Sequence, residues 1–482
     1  MIAVAHALGL LLASFALTYA LPVGCSLLLD DHLWPKFLLA AALTAGCGLV
    51  LAAATLRVRR ELKPRDGFLL VTLGWLLVSA AASLPLLFAL PGLSFTGAYF
   101  EAMSGLTTTG STVLTGLDHL PPSLNFWRHT LHWFGGLGII VMSLAVLPLL
   151  GVGGMQLHKG LAPGAVKEER LAPRIAETAR SLWLVYALLT AAGIVALRIC
   201  GMSWFDAVCH AFSAVGLGGF STHDRSIAWF DSPAIEITLV ALMVIASLNF
   251  ARHFFAMRRL SLEGYKNDPE CKAIFLTLAV SVVGIAALLT HAGVYGDFLT
   301  SLRHAAFNVV SQATTSGLTS QDYQVWPVFA PYWMLFLSCI VCSTGSTGGG
   351  IKMFRTLLLT RQTGRELKLL VHPAAVAPVR IGGRPVPEGV GHAVLAFIFL
   401  YFMTVALLTF AMLLTGLDYD SSFSVVVASI NNTAHGFGAP GAVHNLHGLT
   451  PLQTWICSAA MLLGRLEIFS VIVLFWPAYW RK

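Results

Sequence analysis

The sequence predicts an all-α integral membrane protein. Four parallel helix–pore-helix–filter–helix repeats stand in a pseudo-fourfold arrangement, preceded by an N-terminal two-helix hairpin. Three observations predict this. First, the 482 residues are 56% hydrophobic and only 11% charged, too little charge to cover a soluble protein of this size. Second, Gly/Thr/Ser-rich segments recur four times, each between two apolar stretches. They are Thr107–Thr112, Gly216–Ser221, Thr314–Thr319 and Thr433–Gly438. Third, Lys and Arg gather in a few loops between the apolar stretches, and cationic loops stay cytoplasmic.

Apolar stretches near the ~20 residues that cross hydrocarbon fall at 3–29, 34–56, 67–91, 127–151, 180–200, 233–257, 272–293, 329–360, 391–416 and 452–478. The first is read as a retained helix, because no Lys or Arg precedes it. The first two form the hairpin (residues 1–65). The other eight make repeats at 66–156, 178–258, 270–362 and 388–482. Each repeat starts and ends beside a basic loop, so each leaves the cytoplasm and returns to it. Both termini are expected in the cytoplasm. Four units pointing one way demand parallel repeats around an axis along the membrane normal. The formal charge of +7 sits in these loops, which argues against a nucleic-acid partner. The eight cysteines show no external framework, and Cys339-x-x-Cys342 reads as buried thiols within a helix.

Within the repeats, Gly110, Gly219, Gly317 and Gly436 lie 109, 98 and 119 residues apart. Ser104, Ser213 and Ser311 each precede their glycine by six residues, whereas the fourth repeat has Ile430 there. Stretches too short to span, Phe100–Thr107, Trp204–Val215, Phe298–Gln312 and Ser421–Asn432, read as pore helices that enter the bilayer and stop. Non-helical backbone at that depth is tolerated only where protein buries it or it lines a wet cavity. An extended segment alternating ordinary and left-handed residues turns its carbonyls to one side, and glycine removes the Cβ penalty at the left-handed positions. A ring of carbonyls can replace an ion's water shell. The expected ion-binding set is Thr108, Thr109, Gly110, Leu217, Gly218, Gly219, Thr315, Ser316, Gly317, Ala434, His435 and Gly436. Four unequal quarters predict moderate K⁺/Na⁺ discrimination, with Rb⁺ accepted. His435 has two open readings, packing behind the loop or facing the ion.

These segments resemble those of the K⁺ transporter superfamily that contains TrkH, KtrB and the plant HKT proteins. The resemblance also rests on Trp133–Gly138, Gly218–Thr222, Ser343–Lys352, Asn431-Asn432-Thr433 and Leu463–Glu467. It implies K⁺ uptake across the bacterial inner membrane, with K⁺ as the transported ion and no further cofactor. It also implies a homodimer with one pore per protomer, regulated by a cytosolic TrkA-like nucleotide-binding ring. Loops 157–180 and 352–384 are the expected docking surfaces. Gly110 is similar to the K⁺-preferring members, since serine there accompanies Na⁺ preference in plant relatives. Leu217 departs from a usual hydroxyl, and Ala434-His435 from a usual Gly-Pro.

Gly345, Ser346, Thr347, Gly348, Gly349 and Gly350 interrupt the second helix of repeat three, before Lys352. Such a run holds a helix weakly. A phosphate loop is excluded by the spacing to Lys352. A small-residue packing face and a flexible gate stay open, and the resemblance implies the gate. Arg465 lies well inside an apolar stretch, where burial costs at least ~2.5 kcal/mol. It requires a carboxylate, loop carbonyls or a cavity, and the resemblance places it with the gate. Glu101, Asp206, Asp297, Asp418 and Asp420 are expected near the outer starts of the pore helices, suited to the helix dipole. His129 and His132 lack companions at ligand spacing and read as packed. Arg303 has no evident role, and no catalytic site or nucleotide fold is found. Glu467 is the candidate carboxylate for the alternative function, a symporter coupled to Na⁺ or H⁺.

Overall fold

The computed structural model describes residues 2–56, 62–145, 171–434, 436–438 and 445–481. The N-terminal hairpin pairs Ile2–Leu29 with Trp34–Ala54. Gly9 and Gly48 let the two backbones touch: a Cβ on Gly9 would lie 2.6 Å from the Ala52 nitrogen and 2.7 Å from the Gly48 oxygen. Small residues at crossings serve this purpose in membranes, where apolar area does not drive helices together. The hairpin docks on repeat one through Tyr19, which stacks on Trp127 at 4.7 Å and donates its hydroxyl to the Ala81 carbonyl at 2.7 Å.

Repeat one consists of Pro64–Ala89, the short helix Phe95–Leu106 and Pro122–Ala145. Repeat two has Leu171–Ile199, Trp204–Gly216 and Pro233–Ala246. Repeat three has Pro269–His291, Phe298–Ala313 and the second helix in two pieces, Phe329–Ile340 and Met353–Val371. Repeat four has Glu388–Leu414, Tyr419–Asn431 and Pro451–Arg465. The four short helices are capped at their outer ends by Ser94, Ser203, Asp297 and Asp418, each accepting from a backbone amide of the first turn.

Six described helices are long and apolar enough to cross a bilayer, or eight if each sharply bent pair counts once. The remaining two expected spans are Pro122–Ala145, which carries buried polar residues inward, and the broken helix of repeat three. Two expected spans are not straight. The stretch read as 233–257 turns by 98° between Pro233–Ala246 and Phe250–Arg259, and that read as 452–478 turns by 105° between Pro451–Arg465 and Phe469–Phe475. At the first bend the Ser247 carbonyl accepts from the Ser343 amide at 2.9 Å instead of continuing the helix, and Asn249 caps the next helix. At the second, Glu467 and Ile468 have φ of 55° and 39°. The loop after the broken helix holds an unexpected two-residue ladder, Arg380–Ile381 with Arg384–Pro385. The expected break in repeat three is present.

The expected first pore helix, 100–107, starts five residues earlier, at Phe95, because Ser94 supplies the cap. The fourth starts at Tyr419, behind Asp418.

Candidate functional site

Each short helix ends in the same way. An amide just past its end reaches back to a carbonyl of the last turn: Thr109 to Ser104, Gly218 to Ser213 and Ser316 to Ser311 at 2.9 Å, Thr433 to Ala428 at 2.8 Å. The preceding residue is left-handed in all four, with φ of 51° at Thr108, 54° at Leu217, 62° at Thr315 and 54° at Asn432. Two residues further on, Gly110, Gly219 and Gly317 are left-handed again, at 86°, 80° and 76°. In the fourth repeat this register falls on Ala434. The expectation that Gly436 occupies it is corrected. Gly436 packs on Ser424 and Val425 of its own short helix, where a Cβ would meet backbone at 2.9 Å. Glycine spacing does not mark this register; the return hydrogen bond sets it.

The four segments close on one another in chain order. Gly110 lies against the Gly218 carbonyl, Gly219 against the Ser316 carbonyl, and Gly317 against Ala434, whose nitrogen would be 2.7 Å from a Cβ there. The Ser111 hydroxyl then donates to the Ala434 carbonyl at 2.6 Å, joining repeat one to repeat four. Asn432 strengthens that seam by donating to the Thr109 hydroxyl at 3.0 Å. The structure thus brings Thr108, Thr109, Gly110, Leu217, Gly218, Gly219, Thr315, Ser316, Gly317 and Ala434 to one centre. His435 lies outside the described residues. Leu217 is fully buried in the core of repeats two and three, and a Cβ on Gly218 would overlap the His132 ring.

The interruption Gly345–Lys352 lies across the helical side of this ring. Its Thr347 hydroxyl donates to the Val215 carbonyl at 3.0 Å. Its Gly349 amide donates to the Thr315 hydroxyl at 3.1 Å, and the same glycine abuts the Asn431 carbonyl. Arg465 donates to the Thr347 carbonyl at 2.8 Å and the Gly135 carbonyl at 3.0 Å. Of its open readings, two are seen: it bonds a loop carbonyl, Thr347, and it borders a cavity. Lys352 Nζ donates to the Gly348 carbonyl at 2.6 Å. A cavity beside the loop is lined by Gly348, Gly349, Lys352, Asn432, Arg465 and Glu467. Three anchors were not legible in the sequence: Asn249 donates to the Thr344 carbonyl at 2.7 Å, the Phe250 amide to the Gly345 carbonyl at 3.1 Å, and Glu270 accepts from the Ser343 hydroxyl at 2.5 Å. Arg355, buried, pairs with the half-buried Glu467.

Four of the five carboxylates stand at the starts of the short helices as expected, and Glu101 does not. Asp297 and Asp418 cap, and Asp206 accepts from Ser203 in the first turn at 2.7 Å. Asp420 accepts from Tyr332 at 2.7 Å. Glu101 is not near a helix start. It lies in the middle of Phe95–Leu106, fully buried, paired with Arg128 at 2.7 Å. Arg128 stands at the edge of an apolar stretch, 127–151, where nothing in the sequence marks it as buried. Arg303 acquires a role: it forks to Glu236 at 2.7 and 3.0 Å and reaches Asp231 at 3.0 Å. His129 and His132 are buried and packed as expected, His132 stacking on Phe220 at 4.1 Å. Cys339 and Cys342 are free thiols.

At the outer face, His223 donates to Asp118 at 2.5 Å, lies 3.5 Å from Asp206 and stacks on Trp229 at 4.4 Å. Burial alone would lower the His223 pKa, but the two carboxylates outweigh it and raise it above the ordinary value. Burial would raise both carboxyls, yet the bonds from His223 and neighbouring donors bring Asp118 and Asp206 below theirs.

Residues 35–482 match the model of the TrkH family, described as cation transport proteins. The chain belongs to the TrkH family. It is 45% identical to the Trk system potassium uptake protein TrkH of Halomonas elongata, over 98% of both chains. It is 42% identical to the protein of the same name in Escherichia coli K12, over 100% of this chain and 99% of that one. The crystal structure of the potassium transporter TrkH from Vibrio parahaemolyticus superposes with a TM-score of 0.92 at 40% identity, covering 100% of this chain and 99% of that one. The TrkH family membership makes this chain an integral membrane transport protein, not an enzyme.

Proposed function

We propose that this chain is the K⁺-conducting subunit of an uptake system in the bacterial inner membrane, with both termini in the cytoplasm. The observation that carries the reading is the closed ring of four backbone segments, Gly110 to Gly218, Gly219 to Ser316, Gly317 to Ala434 and Ser111 to Ala434. Carbonyls of Thr108, Thr109, Leu217, Gly218, Thr315, Ser316 and their partners replace water around K⁺. The domains are the hairpin, residues 1–65, and pore repeats at 66–156, 178–258, 270–362 and 388–482. The Gly345–Lys352 loop acts as the gate, and Arg465 holds it closed through the Thr347 carbonyl. A membrane potential negative inside supplies ~2.3 kcal/mol per charge per 100 mV, so uptake needs no ATP site in this chain. Coupling to Na⁺ or H⁺ calls for a carboxylate free to bind or titrate, and Glu467 is held by Arg355. The relatives named above are proteins of a Trk system, which supports partner subunits; the homodimer and the TrkA-like cytosolic ring are what the family resemblance implies. Of its proposed docking loops, 157–170 lies outside the described residues, and 352–384 includes the exposed Gly382-Gly383 turn.

Growth rescue of a strain lacking K⁺ uptake, with ⁸⁶Rb⁺ flux into proteoliposomes, tests the function. Rescue and flux that persist without Na⁺ or H⁺ gradients are expected. A membrane-inserted protein that neither rescues nor conducts would instead be a sensor that kept the fold.

A further inference from the structure

Each short helix reaches out to hold the outer end of its own ring segment, but repeat one does so differently. Nine residues before Gly219, His210 Nε2 lies 2.9 Å from the Ser221 hydroxyl. Nine before Gly317, Asn308 bonds Ser320 through both its side-chain atoms, at 3.1 and 3.2 Å. In repeat four the Ser424 hydroxyl bonds the Phe437 backbone at 2.5 and 3.0 Å. These braces are neutral or local. Nine before Gly110 stands Glu101, whose carboxylate accepts from the Thr112 hydroxyl at 2.9 Å and the Val113 amide at 3.2 Å.

Glu101 is held in turn by Arg128. The guanidinium donates to Glu101 at 2.7 Å, to Thr112 Oγ1 at 3.2 Å and to Asn125 at 3.0 Å. It also reaches the Ser221 carbonyl of repeat two at 3.5 Å and lies 4.1 Å over the Phe220 ring. Both charged side chains are at most 1% exposed. Arg128 borders the outer cavity shared with Gly110 and Gly219. A buried pair of this kind is seldom a net gain in stability over apolar packing, and its best use is to fix one geometry. The planar fork of arginine can meet several acceptors at fixed angles, which lysine cannot.

We propose that Arg128 and Glu101 are positioning residues for ion selectivity: they strap the outer ends of segments one and two at one separation. The strap touches residues two after Gly110 and two after Gly219, so it acts on the mouth of the ring and not on the loop beneath. The proposal rests on the K⁺-filter reading.

The test is the K⁺/Na⁺ permeability ratio of the full-length protein in lipid bilayers, from bi-ionic reversal potentials. Arg128→Gln and Glu101→Gln are expected to lower the ratio roughly tenfold, about 1.4 kcal/mol of discrimination. Arg128→Lys keeps the charge but not the fork, and is expected to fall with them. Thr112→Val removes one hydroxyl and no charge, and is expected to lower the ratio less while leaving thermal stability close to wild type. If the glutamine variants fail to insert, Arg128→Lys and Thr112→Val decide alone. A selective wild type with unchanged ratios in the variants that fold overturns the strap. A wild type with no K⁺ preference overturns the filter reading and leaves the strap without a function.

Discussion

Alanine at each of the four candidate ring glycines separates the register seen here from the one the spacing suggested. At Gly110, φ is 86°, where an L-residue costs about 1–2 kcal/mol. Sterics add to this: a Cβ there would lie 2.8 Å from the Gly218 carbonyl carbon and overlap its oxygen. Real Cβ atoms essentially never come within 3.0 Å of another heavy atom, so the Gly218 carbonyl must move, and that carbonyl belongs to the ring. Gly219 and Gly317 repeat the case, at φ of 80° and 76°, against Ser316 and Ala434. Gly436 has no such angle, and its nearest atoms would lie at 2.9 Å, on the helix behind the ring. Gly110→Ala, Gly219→Ala and Gly317→Ala are therefore expected to lose most K⁺ over Na⁺ preference. Gly436→Ala should keep it, while lowering the melting temperature, because the backbone at Ser424–Val425 must shift to admit the methyl. The strain at φ alone corresponds to roughly a tenfold effect, within reach of ⁸⁶Rb⁺ uptake with Na⁺ competition in proteoliposomes. A Gly436→Ala variant as damaged in selectivity as Gly110→Ala would refute the placement of Ala434 in the ring.

Three further outcomes follow from named contacts. Arg465→Gln removes the donors to Thr347 and Gly135 and a buried positive charge beside the proposed gate loop. Resting Rb⁺ leak is expected to rise, and an unchanged leak would detach Arg465 from gating. At the outer mouth, the raised His223 pKa means its stabilising contacts are fully present below the ordinary histidine value and lost as pH rises through the raised one. The lowered carboxyls of Asp118 and Asp206 give contacts that vanish only as pH falls through their lowered values. Melting temperature should therefore drop on going from mildly acidic to alkaline pH, and this step should shrink in His223→Gln; equal profiles would refute it. Gly9→Val drives side chain into the Gly48–Ala52 backbone and is expected to lower the melting temperature by several degrees with the K⁺/Na⁺ ratio unchanged.

Apolar length, basic loops and four glycine-rich segments suffice for the topology, because each follows from the cost of burying charge or open backbone in hydrocarbon. The break at Gly345–Gly350 and the buried Arg465 were legible for the same reason. What the chain conceals is partner choice. Nothing in the sequence marks Arg128 as the partner of Glu101, which faces it across 27 positions, and the bend at Ser247–Asn249 depends on a loop about a hundred residues away. Ala434 was hidden for a different reason. A glycine is visible by type, but a ring position is defined by where its backbone turns, and the turn in repeat four is set by Asn432 and the Thr433 amide. Three glycines can close around one alanine because the ring needs only small residues where its members touch. The methyl of Ala434 lies 3.1 Å and 3.0 Å from where Cβ atoms of Gly110 and Gly219 would be. It fills the space the three glycines leave, so Ala434 and those glycines constrain one another. A methyl at any of these three glycines has no room, while exchanging Ala434 for glycine would loosen all four quarters together.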